Sequence, residues 1–217
     1  MKRPQARQTV VAGPAGALQT LVEAPENPVG IAVICHPHPL YQGTMTNKVA
    51  HTLARVFNDL GFVAVRFNFR GVGDSAGTYD EAVGETEDAL AIRSWAESEW
   101  PGLPLWMAGF SFGAFVALRS TAVRLPDGLV SVAIPVQRFD VESQSQPQCP
   151  WIIVQGDQDE LVDAAAVVDW VNALEPGPEL VVLDGVDHFF HGRLRQLREI
   201  LHGLIGRHLG ERSNNAG

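Results

Sequence analysis

The chain has 217 residues, of which 46% are hydrophobic, and its 25 acidic and 16 basic residues give a formal net charge of −9. This length and apolar fraction suffice for one sizeable core, and they predict a single domain over residues 1–210. The acidic balance argues against a nucleic-acid or anionic-membrane partner, because such partners select basic patches. No segment approaches the roughly 18 consecutive apolar residues of a membrane span, and no apolar stretch follows the basic N-terminus as in a signal peptide. We therefore expect a cytoplasmic protein.

Short apolar runs alternate along the chain with longer segments of helical periodicity. The predicted strands are Leu18–Glu23, Val29–Cys35, Phe62–Phe67, Leu105–Gly109, Val130–Pro135, Trp151–Gln155 and Leu180–Leu183. The predicted helices are Thr46–Leu60, Glu81–Glu99, Phe112–Arg124, Ala164–Leu174 and Phe190–His208. This alternation is typical of an α/β protein with a mainly parallel sheet and helices on both faces, here after an antiparallel start. The polar segment 211–217 is predicted to be a disordered tail.

A Gly-x-Ser-x-Gly segment, Gly109–Gly113, lies between an apolar run and an Ala-rich helical segment. A strand-to-helix turn this tight strains the backbone of its central residue and lifts the Ser111 hydroxyl clear of the sheet. Out of context the pattern is as often an ordinary glycine-rich loop. The preceding strand and the following helix favour a nucleophile at Ser111.

A serine nucleophile in such a fold requires an acid and then a histidine later in the chain, each in a loop after a strand. Asp157 and Asp159 follow the sixth predicted strand, and Asp187 and His188 follow the seventh. Both required groups are therefore present in the required order. Asp157 and Asp187 also suit turns, in which a short carboxylate caps local backbone.

These segments resemble those of the α/β-hydrolase superfamily over nearly the whole chain. The resemblance rests on Gly109–Gly113, on the G-x-x-D-x-x-V pattern of Gly156–Val162 and on the Asp-His-Phe-Phe segment Asp187–Phe190. The segment Cys35–Pro39, Cys-His-Pro-His-Pro, is in addition similar to that of a group of short bacterial hydrolases. The resemblance implies an α/β-hydrolase fold. Only residues 136–150 separate the fifth and sixth predicted strands, which is too short for a cap domain, so we expect an α/β-hydrolase fold without a cap.

The resemblance also implies a role for each triad residue. Ser111 is the expected nucleophile, His188 the expected general base and Asp159 the expected orienting acid. Some members of the superfamily carry the acid after the preceding strand, where Asp140 lies. The G-x-x-D context favours Asp159.

Acyl transfer further requires N–H donors for the oxyanion. One expected donor is the backbone N–H of Phe112, directly after the nucleophile. The segment His36–Pro39 is similar to the H-G-x-P loop of the superfamily, which puts the second donor at the backbone N–H of His38, with Leu40 or Tyr41 as alternatives. Proline replaces the usual glycine at position 37, so the geometry of this loop stays open.

Two other patterns have weaker functional interpretations. His36 and His38 are spaced as metal ligands can be, but no third ligand lies nearby, and a structural role is expected for His36. Cys35 and Cys149 lack metal-ligand spacing, and buried thiols are expected. No metal site is predicted.

The glycine-rich segment Asn68–Gly77 follows a strand, as a dinucleotide-binding loop does, but no helix begins at its third glycine. We expect a loop beside the active site, in which Arg70 and Asp74 are structural. No cofactor is predicted.

The expected function is that of a serine hydrolase that cleaves small ester or thioester bonds through an acyl-enzyme. A peptidase or another acyl-transfer enzyme would use the same triad, and a non-enzymatic binding module on a hydrolase scaffold is the alternative of a different class. The expected partner is a small-molecule acyl substrate, with short acyl groups preferred because no lid encloses the cleft. The sequence leaves the oligomeric state open.

Overall fold

The computed structural model describes residues 4–215. Its strands are β1 (Ala6–Gly13), β2 (Gly16–Glu23), β3 (Gly30–Cys35), β4 (Phe62–Phe67), β5 (Leu105–Phe110), β6 (Gly128–Val132), β7 (Trp151–Gly156) and β8 (Glu179–Leu183). Its helices are α1 (Lys48–Asp59), α2 (Val83–Glu99), α3 (Phe112–Thr121), α4 (Ala164–Asn172) and α5 (Leu194–Asn215). A single 3-10 turn covers Pro39–Tyr41.

Within these residues the strands form one eight-stranded sheet in the order β1-β2-β4-β3-β5-β6-β7-β8. β1 and β2 form an antiparallel hairpin, β2 pairs antiparallel with β4, and every other neighbouring pair is parallel. The mainly parallel sheet is therefore confirmed. All residues of β3 to β7 are buried, as expected for parallel strands that are covered on both faces.

Helices cover both faces of the sheet. Because strand side chains alternate between faces, Val33 and Met107 pack with α2, α3 and α4, whereas Ile34 and Ala108 pack with α1 and α5. The carboxyl ends of β3 and of β5 to β8 lie at one edge, and the loops that leave this edge carry the predicted site residues.

Neither Cys35, which is buried, nor Cys149, which is half-buried, forms a disulfide within the described residues.

Three elements differ from the sequence prediction. β1 was missed because it is an edge strand with only Val11 buried, so it lacks the apolar run of the central strands. β6 ends at Val132, before Ala133 with φ of 49°. α5 begins after Phe190, whose φ of 56° is incompatible with a helix.

The C-terminal end also differs. The sequence indicates a tail from residue 211 onward, whereas α5 continues to Asn215, and no glycine or proline interrupts residues 211–215. Residues 216 and 217 of the predicted tail lie outside the described residues.

The connection between β6 and β7, residues 133–150, is fully described and holds turns but neither a helix nor a strand. The edge of the sheet is therefore not covered by a cap at this point. None of the helices described in residues 4–215 combines the length and the apolar composition of a membrane span.

Candidate active site

Ser111 lies at a sharp turn between β5 and α3. Its φ of 54° and ψ of −122° are outside the regions that a residue with a side chain prefers. A Cβ atom at Gly109 would lie 2.1 Å from the carbonyl oxygen of Gly113, and one at Gly113 would lie 2.3 Å from that of Cys35. Both glycines are thus required by close backbone contacts, and together they allow the predicted elbow.

Ser111, His188 and Asp159 form a continuous hydrogen-bonded chain. The Nε2 atom of His188 lies 3.1 Å from the Ser111 Oγ, and its Nδ1 atom lies 2.8 Å from the Asp159 Oδ2. The side chains of His188 and Asp159 are 3% and 0% exposed. The loops after β7 and β8 therefore bring the predicted acid and base to the predicted nucleophile.

The Asp159 carboxylate accepts hydrogen bonds at both oxygens. Its Oδ1 accepts from the backbone N–H of Leu161 at 2.9 Å and of Val162 at 2.8 Å. Its Oδ2 accepts from the Gln155 side-chain amide at 3.0 Å as well as facing His188. Burial raises the pKa of Asp159, but the hydrogen bonds from His188 and from the backbone outweigh this effect and lower it below its ordinary value.

Gln155 and Glu160 support the site and were not predicted from the sequence. Gln155 is the buried polar residue near the end of the apolar strand β7, a signal that indicates a buried hydrogen-bond partner. Glu160 accepts from the backbone N–H of His188 at 3.2 Å. Glu160 thus ties the acid loop to the histidine loop, and Gln155 holds the carboxylate of Asp159 within the acid loop.

The other candidate carboxylates hydrogen-bond to backbone, within their own turns for Asp140 and Asp187 and to the loop after β8 for Asp157. Asp157 accepts from the backbone N–H of Gly185 at 2.7 Å, and Asp187 accepts from the backbone N–H and the ring of His191. Asp140 is exposed and accepts from the backbone N–H three residues on, at 3.1 Å. Only Asp159 among the four acids contacts the Nδ1 of His188.

The expected N–H donors lie beside the elbow. Phe112 is the first residue of α3, so its N–H has no partner within the helix. His38 precedes the 3-10 turn, and its ring centroid lies 4.8 Å from that of Phe112. Among the described residues no hydrogen bond is found from the His38 N–H, while its carbonyl oxygen accepts from Tyr41 and Gly43. The loop after β3 thus lies against the start of α3.

His36 has the structural role that the sequence indicates. Its Nδ1 lies 2.6 Å from the carbonyl oxygen of Pro37, and its Nε2 accepts from the backbone N–H of Phe69 at 3.1 Å. Burial lowers its pKa from 6.5 to about 4, so the ring is neutral near pH 7. Both ring nitrogens thus have partners, and the Nε2 contact joins the loops after β3 and β4. Within residues 4–215 no group of three or more His, Cys, Asp or Glu side chains is placed to hold a metal ion.

The glycine-rich loop after β4 is held by a buried ion pair. The Arg70 guanidinium donates to both carboxylate oxygens of Asp88 in α2, at 3.0 and 2.8 Å, and the same carboxylate accepts from the Arg70 backbone N–H. Asp74 accepts from the Gln19 amide at 2.9 Å. Both residues therefore have the structural roles that were predicted.

Ser111 lines a cleft with a volume of about 430 Å³. Aromatic side chains form much of its wall, namely His38, Tyr41, Phe112, Phe139 and Phe189. Tyr41, Phe189 and Leu161, which are 76%, 42% and 41% exposed, stand at its mouth. This volume matches a small-molecule site rather than a macromolecular groove.

Comparison with known proteins agrees with this geometry. The family model of the X-Pro dipeptidyl-peptidases (S15 family) matches residues 16–147. A lid-less α/β serine hydrolase from Xanthomonas campestris is 42% identical, covers 94% of each chain and superposes with a TM-score of 0.89. The chain belongs to the S15 family of the α/β-hydrolases. It has the α/β-hydrolase fold without a lid, as the sequence predicts.

Curated relatives of this α/β-hydrolase include one of full length and one partial match. An uncharacterized protein of Rickettsia prowazekii is 34% identical over 205 residues, which cover 89% of this chain and 86% of that protein. The lysophosphatidylserine lipase ABHD12 of Rattus norvegicus is 34% identical over 121 residues, or 52% of this chain and 30% of the lipase. The match thus spans less than a third of the lipase.

Proposed function

We propose that this α/β-hydrolase cleaves small ester or thioester bonds through an acyl-enzyme formed on Ser111. The observation that carries the proposal is the hydrogen-bonded chain from Ser111 through His188 to Asp159 at the wall of an open cleft. A serine hydroxyl is a weak nucleophile at neutral pH, and a neutral imidazole that accepts its proton activates it.

In the proposed first step, the Ser111 Oγ attacks the substrate carbonyl carbon while its proton passes to the Nε2 of His188. The Nδ1–H of His188 donates to Asp159 throughout, so the carboxylate holds the productive tautomer and stabilises the imidazolium. The imidazolium then protonates the leaving alcohol or thiol as its bond to the carbonyl carbon breaks. A water molecule, deprotonated by the same Nε2, attacks the acyl-enzyme, and Ser111 recovers its proton as the acid departs.

The developing oxyanion requires donors on the opposite side of the carbonyl carbon from His188. We assign this role to the backbone N–H groups of Phe112 and His38. The Phe112 N–H lies at the N-terminus of α3, where the helix dipole favours negative charge. The His38 N–H belongs to the loop that packs against this helix start.

The cleft supports a compact acyl group. Its volume of about 430 Å³ lies in the lower half of the range for small-molecule sites, and no lid encloses a long chain. The name of the relative ABHD12, a lysophosphatidylserine lipase, adds support for an ester substrate. Short-chain esters are the proposed class.

A second candidate is amide hydrolysis, which the family name X-Pro dipeptidyl-peptidase suggests. The same triad would serve it. A dipeptidyl-peptidase must bind the ammonium group of a peptide N-terminus, for which a carboxylate is the natural partner. Within the described residues no aspartate or glutamate lines the cleft. Ester hydrolysis is therefore preferred.

The test is hydrolysis of p-nitrophenyl acetate and butyrate by the protein and by its Ser111→Ala variant, with glycyl-prolyl-p-nitroanilide as the amide substrate. Folding of both proteins is checked by circular dichroism. The proposal expects ester hydrolysis that is lost in the variant and is at least tenfold faster than anilide cleavage. Ester hydrolysis that survives in Ser111→Ala would refute the mechanism, and dominant anilide cleavage would favour the peptidase.

A further inference from the structure

The charge of the cleft differs from that of the whole molecule. The chain carries a formal net charge of −9, yet among the described residues Arg138 is the one permanent cation that lines the cleft, and no carboxylate of these residues does so. The nearest acids of the site, Asp159 and Glu160, hydrogen-bond to His188 from behind and are absent from the lining. The cleft that Ser111 lines thus carries one permanent positive charge and, in the described part of the chain, no negative one.

Arg138 is held by the backbone on which it stands. The N–H groups of Arg138 and Phe139 both donate to the carbonyl oxygen of Pro135, at 3.1 and 3.3 Å, and form a turn directly after β6. The Phe139 ring stacks on Phe115 of α3 with centroids 4.8 Å apart. β6 pairs with β5, and Val132 accepts from the Ser111 N–H, so this turn is adjacent to the elbow.

The guanidinium itself is available. Arg138 is exposed, and among the described residues it takes part in none of the ion pairs or side-chain hydrogen bonds. Its charge contributes to lowering the pKa of His38, after the larger effect of burial, so the field of the guanidinium reaches the cleft wall. An arginine without a carboxylate partner beside a nucleophile is suited to bind an anionic group of a ligand.

The aromatic part of the cleft wall restricts the class of ligand further. The rings of His38, Phe112 and Phe139 lie within 6.4 Å of one another and form an aromatic surface beside Ser111. Such a surface binds acyl chains and aryl groups through apolar contact. The cleft wall therefore combines an apolar aromatic surface with a single cationic side chain, so it favours a ligand that has both an apolar group and an anion.

We propose that Arg138 is a specificity-determining residue and that the substrates are amphiphilic esters, with an apolar acyl or aryl group and a carboxylate or phosphate that pairs with Arg138. This inference rests on the proposed function and narrows its substrate class. Arg138 contacts the substrate away from the reacting bond, so it raises the apparent affinity for anionic esters and leaves the acyl transfer to the triad.

The test uses two pairs of esters, and in each pair methylation of a carboxylate removes the negative charge. The first pair is 4-acetoxybenzoate and its methyl ester, with the charge on the leaving group. The second pair is the p-nitrophenyl monoester of adipic acid and its methyl diester, with the charge on the acyl group. For each pair the ratio of kcat/KM, anionic over neutral, is measured in low salt and compared among proteins, so that the intrinsic reactivity of the esters cancels.

For at least one pair, Arg138→Gln is expected to lower this ratio about fivefold, because a solvent-exposed ion pair contributes up to about 1 kcal/mol. Arg138→Lys should restore most of the ratio, and Arg138→Glu should lower it further. Added salt should reduce the ratio of the wild type and leave that of Arg138→Gln nearly constant. Arg195→Gln is the matched control, since its side chain is 90% exposed on α5 and pairs with Glu199.

Equal ratios in the wild type and Arg138→Gln for both pairs would overturn the inference while hydrolysis itself upheld the proposed function. Binding of 4-hydroxybenzoate and adipate, measured by NMR titration, separates the two ideas if no ester is cleaved. Weaker binding to Arg138→Gln than to the wild type would then support the anion site and reject the esterase. Binding that is absent or equal in the two proteins would reject both.

Discussion

Replacing Asp159 by Asn tests whether the carboxylate orients His188, because the substitution keeps the size of the side chain and removes its charge. The native carboxylate is surrounded by donors. Oδ2 faces the His188 Nδ1 and the Gln155 amide, at 2.8 and 3.0 Å, and Oδ1 accepts from the N–H groups of Leu161 and Val162. The amide nitrogen of an Asn must therefore replace one oxygen and bring its own hydrogens toward groups that donate.

Both orientations of the Asn side chain are unfavourable. An amide nitrogen at the Oδ1 position loses the two hydrogen bonds from the backbone. An amide nitrogen at the Oδ2 position donates to the Nδ1 of His188, so that the ring carries its hydrogen on Nε2 and cannot accept the proton of Ser111. In the serine protease triad the equivalent tautomer error lowers kcat about 10⁴-fold, or about 5 kcal/mol, and we expect a loss of this order. This second orientation loses fewer hydrogen bonds, namely the one from the Gln155 amide, and should reduce the free energy of unfolding by about 1.5–3 kcal/mol.

The assay is kcat for p-nitrophenyl butyrate together with urea unfolding, which shows that the variant is folded at the assay temperature. Asp140→Asn is the matched control, because Asp140 is exposed and its hydrogen bonds stay within its own turn. It should retain kcat within about twofold, as surface substitutions usually change little. A loss of less than tenfold in folded Asp159→Asn, or a greater loss in Asp140→Asn, would refute the assignment of Asp159.

Gly113→Ala should destabilise the fold by about 3 kcal/mol or more, since the new Cβ would meet backbone at 2.3 Å. The control is Gly203→Ala in α5, where the added Cβ would have no atom within 4 Å, and it should raise the free energy of unfolding in urea by about 0.5–1 kcal/mol. Equal changes in the two variants would contradict the steric role of Gly113. Arg70→Met leaves the buried Asp88 carboxylate unpaired and should cost about 3–5 kcal/mol in the same assay, whereas a cost below about 1 kcal/mol would contradict the role of the pair. Burial lowers the pKa of His36 from 6.5 to about 4, so between these pH values the imidazole is protonated in the unfolded chain and neutral in the folded chain. The free energy of unfolding should therefore fall by about 3 kcal/mol as the pH is lowered from 6.5 to 4. His36→Gln should remove this part of the slope between pH 4 and pH 7, and an unchanged slope would show that another group is responsible.

The central strands and most helices could be predicted because their apolar runs and periodicity arise from burial. β4 was predicted with both ends correct, since Phe62–Phe67 is an unbroken apolar run except for Arg66. β1 has a mostly exposed pattern, and its pairing depends on the hairpin with β2, so local composition gave no signal. The start of α5 depends on the positive φ of Phe190, which is imposed by the turn that places His188.

The triad of the candidate site could be predicted from the order of its residues in the chain and from the turns in which they lie. Ser111, His188 and Asp159 follow from the elbow and from the loops after two later strands, and the structure brings them within hydrogen-bonding distance. The choice between Asp159 and Asp140 needed the resemblance to a family, because both follow strands. Long-range partners such as Glu160, which accepts from the backbone of His188, depend on side-chain direction, and no spacing in the sequence specifies that direction.

Active-site labelling tests whether Ser111 is a nucleophile that His188 activates. The wild type and its Ser111→Ala and His188→Ala variants are treated with a fluorophosphonate, and intact mass and peptide mapping locate the adduct. We expect one adduct per chain on the peptide that holds Ser111, none in Ser111→Ala and at least about 10³-fold slower labelling in His188→Ala. An unlabelled but folded wild type, or an adduct on another residue, would contradict it.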